Sequence, residues 1–460
     1  METVGDPTMK AAGRREPRVL SGFRDFLPEQ MLLRQRIVGV IRAVFERHGF
    51  EPLDTPALEL IEVLTGKAGE NEKLMYRFTD GGGREVGLRY DLTVPLARVV
   101  AMHQNDLVFP FKRYHIAPVW RAERAQRGRF REFWQCDADI AGSASMLADA
   151  EVVAVMAEAL AAVGLPRCTI RINHRQLLAA LARAAGVDAA GAGTVFRAID
   201  KLDKIGPDGV ARELEDSGIT AGATGRILAM VTEEGDPAAR LASLRSGLDQ
   251  DAEAMAAIDQ LGELFGHLPA FGVADEVVRF DLSLARGLDY YTGPVFEAVV
   301  EEPKVGSVAG AGRYDGLIGT FLGRSVPATG ISLGLERIIE VVKEFDLLPG
   351  ATSTTDVFVA VTRDTVADAA QIAARLRDQR LRVDLGLQPA RSLGDQAKYA
   401  ARKGIPVAVL MSPADVGAGT AVVRALHTGA QTTVLLDDLG RAVHEALRAD
   451  DAAGPALSDA

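Results

Sequence analysis

Apolar positions recur at helical spacing over residues 27–50, where Leu32, Ile37, Val38, Ile41 and Phe45 fall on one side. Pro28 and Glu29 suit the first turn of that helix. Residues 50–60, FEPLDTPALEL, then read as a strand broken at Pro52 and Pro56, because proline cannot donate to a ladder. Alternation over residues 76–90, split by TDGGGR, predicts a hairpin. Residues 113–121 and 130–140 predict two antiparallel strands joined by a loop at 122–129. An Ala-rich helix over 149–163 and a short strand over 169–173 follow. From 175 to about 272 the spacing is helical, interrupting a strand-rich chain, and predicts an inserted helical domain. Strand character returns at Val277 and runs to Ser307, and residues 331–345 pass from strand into helix.

The stretch LLPGATSTT, residues 347–355, has linker composition. Beyond it come strand (VFVAV), helix (VADAAQIAARLRDQ), strand (LRVDL), helix (SLGDQAKYAARKG), strand (VAVLM), strand (TAVVRAL) and a last helix. That alternation predicts a small α/β domain with a mostly parallel sheet. The expected organisation is a disordered tail at 1–17, a core at 18–174 and 273–345 interrupted by the helical insertion at 175–272, a linker at 346–355, the α/β domain at 356–450 and a tail at 451–460.

Composition narrows the class. A chain of 460 residues exceeds one core and implies two to four domains. No run of 18 apolar residues occurs, and the N-terminus lacks the apolar stretch of a secretory signal. Two cysteines, Cys136 and Cys168, and seven scattered histidines give neither a disulfide framework nor metal-ligand spacing, so no protein-caged metal is expected. A cytoplasmic protein is the expectation. The net charge of −11 argues mildly against a polyanion partner, but residues 112–131 hold seven Lys/Arg against one Glu.

The chemistry concentrates in a few segments. LARGLDYYTGPVFE, residues 284–297, puts Arg286, Asp289, Tyr290 and Tyr291 together before a Gly-Pro turn. On the strand at 130–140, Phe133, Gln135, Asp137 and Asp139 share one face, and Trp134, Cys136, Ala138 and Ile140 the other, which is apolar and packs. Asp91 and Thr93 likewise share a face. Carboxylates gathered near Arg121 suit a zwitterionic or cationic substrate. No GxxxxGK[ST] phosphate loop occurs; the candidate anion-binding groups are arginines, whose forks suit carboxylate or phosphate: Arg121 at a strand end, Arg129 closing the loop, and Arg337 in the first turn of the helix after Gly334. Gly330 and Gly334 allow close backbone approach there.

Five segments together closely resemble histidyl-tRNA synthetase, over residues 18 to about 450: LRYDLTVP, FKRYHIAPVWRAERAQRGRFREFWQCDADIAG, ARGLDYYTG, GAGRYDGL and TGISLGLERI. ARGLDYYTG and RYDGL are specific to that family; motifs of the HIGH and KMSKS type, which mark class I synthetases, are missing. The resemblance implies an α+β class II catalytic core, an antiparallel sheet flanked by helices, with a helical insertion and a C-terminal α/β anticodon-binding domain. It implies a homodimer that activates L-histidine with ATP and Mg²⁺ to histidyl-adenylate and transfers it to the 3′ end of tRNA-His, with no membrane association. By that likeness Arg121 binds the α-phosphate and the substrate carboxylate, Glu123 lies near adenine, and Arg129 and Arg337 hold the β- and γ-phosphates. Asp91, Thr93, Gln135 and Asp139 form the histidine pocket, Tyr290 and Tyr291 close on the imidazole, and Arg286 is the catalytic arginine. Three features depart from the common bacterial pattern: LRYDLTVP with FWQCDADIAG, Ala311 in GAGRYDGL, and MSPAD at 411–415. A regulatory paralogue of histidine biosynthesis would usually lack this arginine and tyrosine set and the last domain. A sensor of uncharged tRNA would carry an effector domain.

Overall fold

The alternation that marks residues 130–140 becomes the middle of a large sheet. The computed structural model describes residues 16–65, 69–124, 129–165, 167–233, 235–285, 290–348 and 353–453. The described residues fall into two compact units, those of 16–25 with those of 37–348, and those of 26–36 with those of 353–453. The strands of the first unit are β1 (Glu51–Pro52), β2 (Leu58–Leu60), β3 (Arg77–Thr79), β4 (Glu85–Leu88), β5 (Phe111–Trp120), β6 (Glu132–Ala141), β7 (Cys168–His174), β8 (Val278–Phe280), β9 (Pro294–Val300), β10 (Ser307–Arg313) and β11 (Ala328–Gly334). Eight of them make one sheet in the order β1-β5-β6-β11-β10-β9-β7-β8. It is antiparallel except at its edges, where β1 runs parallel to β5 and β8 parallel to β7. The prolines break residues 50–60 as expected: Pro52 ends β1 on the large sheet, and β2 joins β4 and β3 in a small antiparallel sheet.

One face of the large sheet is apolar. Cys136, Ala138 and Ile140 on β6 stand beside Leu333 and Ile331 on β11 and Ala309 and Ala311 on β10, all buried. The helix Met146–Val163 lies on these strands and is buried around most of its circumference. Ser145 caps it by accepting from the Leu147 amide at 3.2 Å, and Gly164, at φ 86°, ends it where a side chain would be strained. Its one buried carboxylate, Asp149, is met by Arg313 of the RYDGL segment, whose Nε lies 3.2 and 3.1 Å from the two carboxylate oxygens. This arginine also donates to the carbonyls of Ser143 and Ser145. A buried cation is thereby paired and its donors used, and the sheet is fastened to the helix.

Helices Arg175–Ala184, Ala189–Ile199, Leu202–Asp216, Ala221–Thr232, Pro237–Gly247 and Ala252–His267 lie between β7 and β8. The segment FRAIDKLDKIG, helical by its spacing, is broken by a turn at Asp200 and Lys201 and again at Gly206, whose φ is 67°. The shared strand face read for Asp91 and Thr93 is not what forms. Thr93 opens the helix Thr93–Met102, and Asp91 Oδ1 accepts from the amides of Thr93 at 3.2 Å and Val94 at 3.0 Å. A carboxylate two residues before a helix satisfies amides that have no intrahelical partner, and this stops the strand.

In the second unit, β12 (Val357–Val359), β13 (Val383–Leu385), β14 (Val407–Leu410), β15 (Thr420–Ala425) and β16 (Gln431–Leu435) form a sheet in the order β13-β12-β14-β15-β16. Its first three strands are parallel, but β14–β15 and β15–β16 are antiparallel, so the sheet is mixed rather than mostly parallel. β16 escaped the sequence reading because its side chains face outward and are polar at most positions. MSPAD, a departure from the family pattern, encodes a helix start: Ser412 and Asp415 form a reciprocal capping box on Pro413–Gly417.

Candidate active site

The second face of the large sheet is polar where the first is apolar. Register places Gln135, Asp137 and Asp139 of β6 opposite Gly334, Ser332 and Gly330 of β11, with Gly310 and Gly312 of β10 next to Ser332 and Gly330. On the other side, Asp137 and Asp139 face His115 and Arg113 of β5. Large polar groups thus stand on two strands and almost no side chains on the next two. The result is a cavity of about 310 Å³ whose lining includes Arg121, Arg129, Phe133, Gln135, Tyr291 and Arg337.

Arg121 follows β5 directly. Its Nε donates to the Tyr90 carbonyl at 2.9 Å and its guanidinium lies 5.1 Å from the centre of the Phe133 ring. Arg129 lies 3.5 Å from Glu123, and both line the cavity. Arg337, on the helix Leu335–Glu344, donates to the Ser307 carbonyl. Burial, and then the positive charge of Arg129, push the Arg337 guanidinium below its ordinary value. Crowded cations of this kind are relieved by a bound polyanion.

Buried carboxylates gather on the same sheet face. Asp91, Asp137 and Asp139 are each at most 2% exposed, against one guanidinium with no exposure, that of Arg113. Arg113 Nη2 lies 2.8 Å from Asp139 Oδ2, off the hydrogen-bonding line, and donates to the Leu92 carbonyl at 3.0 Å. The Tyr314 hydroxyl donates to Asp139 Oδ1 at 2.5 Å. Burial raises the carboxyl groups of Asp91, Asp137 and Asp139. At Asp139 the Arg113 charge and Tyr314 oppose this; at Asp137 the Arg113 charge opposes it too, and the carboxyl is pushed up to about 8. Burial, then Arg113 and Arg89, push His115 down to about 3. The Tyr290 hydroxyl donates to Asp91 at 3.3 Å, and the Tyr290 ring centre lies 5.2 Å from Tyr291 and 5.9 Å from Tyr314. Gln135 donates to Ser332 at 2.5 Å, and its buried Oε1 has no partner.

Of the residues singled out from sequence, Arg121, Glu123, Arg129, Arg337, Gln135 and Tyr291 thus line one cavity. Asp91, Thr93, Asp139 and Tyr290 belong to the buried cluster that adjoins it through Tyr291. Arg286 and Asp289 lie outside the described residues. Gly330 has a different use from the close approach to phosphate expected of it. A Cβ there would overlap the Asp139 carboxylate, so its smallness makes room for that side chain. Arg113, Ser332 and Tyr314 went unassigned. Tyr314 was within reach, since it continues the even-numbered series Gly310, Gly312 along the segment.

A cleft with arginines at one end and buried carboxylates at the other, on a largely antiparallel sheet, defines an aminoacyl-tRNA synthetase of the second class. The family model for histidyl-tRNA synthetase matches residues 22–338, and that for an anticodon binding domain matches residues 356–446. The histidine–tRNA ligase of Aeropyrum pernix is 44% identical, covering 95% of this chain and 99% of its own. That of Rhodopirellula baltica is 42% identical, covering 90% and 94%. The crystal structure of histidyl-tRNA synthetase from Nostoc sp. PCC 7120 superposes with a TM-score of 0.83 at 32% identity, covering 94% of this chain and all of that one. The chain belongs to the histidyl-tRNA synthetase family.

Proposed function

We propose that this chain is a histidine–tRNA ligase in which the cavity takes ATP and the buried cluster takes histidine. The observation that carries the reading is the opposite charge of the two ends. Arg121, Arg129 and Arg337 meet at one, and Asp91 and Asp139 outnumber Arg113 at the other, where Asp137 keeps its proton. A triphosphate suits the first and an ammonium group the second.

In this reading Asp91 and Gln135 hold the substrate ammonium, with Thr93 beside them. Asp139, fixed by Arg113 and Tyr314, accepts from the imidazole, and Tyr290 and Tyr291 close the pocket. Arg121 binds the α-phosphate and the histidine carboxylate and brings them into line, Glu123 reads adenine, and Arg129 and Arg337 hold the β- and γ-phosphates. A histidine carboxylate oxygen attacks the α-phosphorus and pyrophosphate leaves. Arg286 stabilises the charge that develops there. The 3′-terminal hydroxyl of tRNA-His then attacks the activated carbonyl and AMP leaves. Magnesium enters with ATP as part of the substrate, held mainly by phosphate oxygens; among the described residues no cluster of three or more His, Cys, Asp or Glu could cage it. The proposed setting is a homodimer in the cytoplasm; among the described residues no helix is long and apolar enough to cross a membrane. The division into core, helical insertion at 175–272 and anticodon-binding domain at 356–450 belongs to the same proposal.

The test is ATP–pyrophosphate exchange on the purified chain with each of the twenty amino acids in turn. Exchange with histidine alone is expected. No exchange with any amino acid, from folded protein that still binds histidine, would replace this reading with a regulatory one.

A further inference from the structure

Residues 20–24 reach the nucleotide end of the cavity from outside, and Arg131 is the joint. Its amide donates to the Gly22 carbonyl at 2.9 Å and its Nη1 to the Ser21 carbonyl at 3.2 Å. Its Nε donates to the Glu123 carbonyl at 3.1 Å, and its own carbonyl accepts from the Arg121 amide at 2.9 Å. One residue therefore bonds the N-terminal segment to the two residues assigned to adenine and the α-phosphate. A second contact runs beside it. The Arg24 guanidinium lies 3.1 Å from the centre of the Phe130 ring, with Nη2 3.8 Å from Glu336. Phe130, Glu123 and Glu336 all line the cavity.

Apolar burial accounts for little of this segment: Leu20 is 64% exposed, and half-buried Phe23 meets Tyr76 edge-on with ring centres 6.1 Å apart. The segment is a turn, with the Phe23 amide donating to Leu20 O at 3.0 Å and Gly22 at φ +85°. A Cβ on Gly22 would lie 2.7 Å from Arg131 Cγ and 2.9 Å from Cδ. The position is closed to side chains both by its backbone angle and by the arginine it rests on.

We propose that the turn at residues 20–24 is a positioning element for the nucleotide, acting through Arg131 on Arg121 and Glu123 and through Arg24 on Phe130. The inference rests on the assignment of the cavity to ATP. Its test is pyrophosphate exchange on full-length Gly22→Ala, Arg131→Ala, their combination, and Arg24→Gln, with ATP and histidine varied separately. The KM for ATP is expected to rise about tenfold in the first two, as for the loss of one or two hydrogen bonds. The combined variant should fall short of the product of the two single effects, because both disturb the Arg131 side chain where it rests on Gly22. Arg24→Gln adds no atoms to a crowded site and should raise the KM for ATP several-fold. The KM for histidine should rise less than that for ATP, because Arg121 alone of the positioned residues also meets the amino acid, and melting temperatures should stay close to wild type. Equal shifts in both constants, or an unchanged KM for ATP in Arg24→Gln, would overturn the proposal. Absence of histidine-dependent exchange in the wild type would instead count against the ATP assignment itself.

Discussion

At the residue scale the tightest constraints surround Asp139. Its carboxylate is fixed by Arg113 at 2.8 Å and by Tyr314, and it fills the space left by Gly330. Asp139→Asn removes the charge that faces the substrate and should raise the KM for histidine about a hundredfold, in line with truncating a buried charged pair. Tyr314→Phe removes a single donor and should raise it roughly tenfold. Steady-state exchange with histidine varied checks both, and an unchanged KM for ATP is part of the expectation. Asp137 makes a separate prediction. Its carboxyl is pushed up to about 8 by burial, so the folded protein keeps a proton that the unfolded chain releases above about pH 4. The stabilisation is full below that pH and is lost as pH rises through about 8. Thermal melts of the wild type and Asp137→Asn without histidine, from about pH 5 to 9, should show the wild type losing several degrees relative to the variant. Parallel curves would refute the protonated state.

At the scale of elements, the large sheet works as two surfaces with different jobs. Its apolar face and the helix Met146–Val163 are held by the Asp149–Arg313 pair, so Arg313→Met should destabilise the fold by about 3–5 kcal/mol in denaturant titrations. Gly330→Ala, on the other face, should cost about 1–3 kcal/mol and also weaken histidine binding, since the added methyl overlaps Asp139. The alternation of Phe133, Gln135, Asp137 and Asp139 was legible in the sequence because a period of two needs no tertiary information. What that face meets was not legible. Arg113 stands opposite Asp139 only through the β5–β6 register, and Tyr314 reaches it from 175 residues away. Thr93 was misread because a carboxylate two residues earlier starts a helix where the apolar pattern alone continues a strand. β16 was missed because a polar, outward-facing strand leaves no hydrophobic trace.

At the scale of the whole molecule, a net charge of −11 coexists with seven Lys/Arg in residues 112–131. Arg113 of that run is buried and Arg121 and Arg129 line the cavity, so a polyanion is met by a few local cations against an unfavourable net charge. The KM for tRNA should rise steeply with KCl between about 50 and 200 mM, whereas the KM for histidine, set by buried groups, should hardly move. Initial rates of aminoacylation and exchange over that range check the contrast. The floor of the cavity carries a different consequence. Gly310 and Gly334 line it without side chains, with open space above Gly310, while Gly312 and Gly330 beside it make room for the Tyr291 ring and the Asp139 carboxylate. Every coding change at such a position adds atoms. Drift in this part of the molecule is therefore one-sided: inheritance can silt the hollow up but cannot dig it deeper, and a roomier substrate would have to be won from the walls.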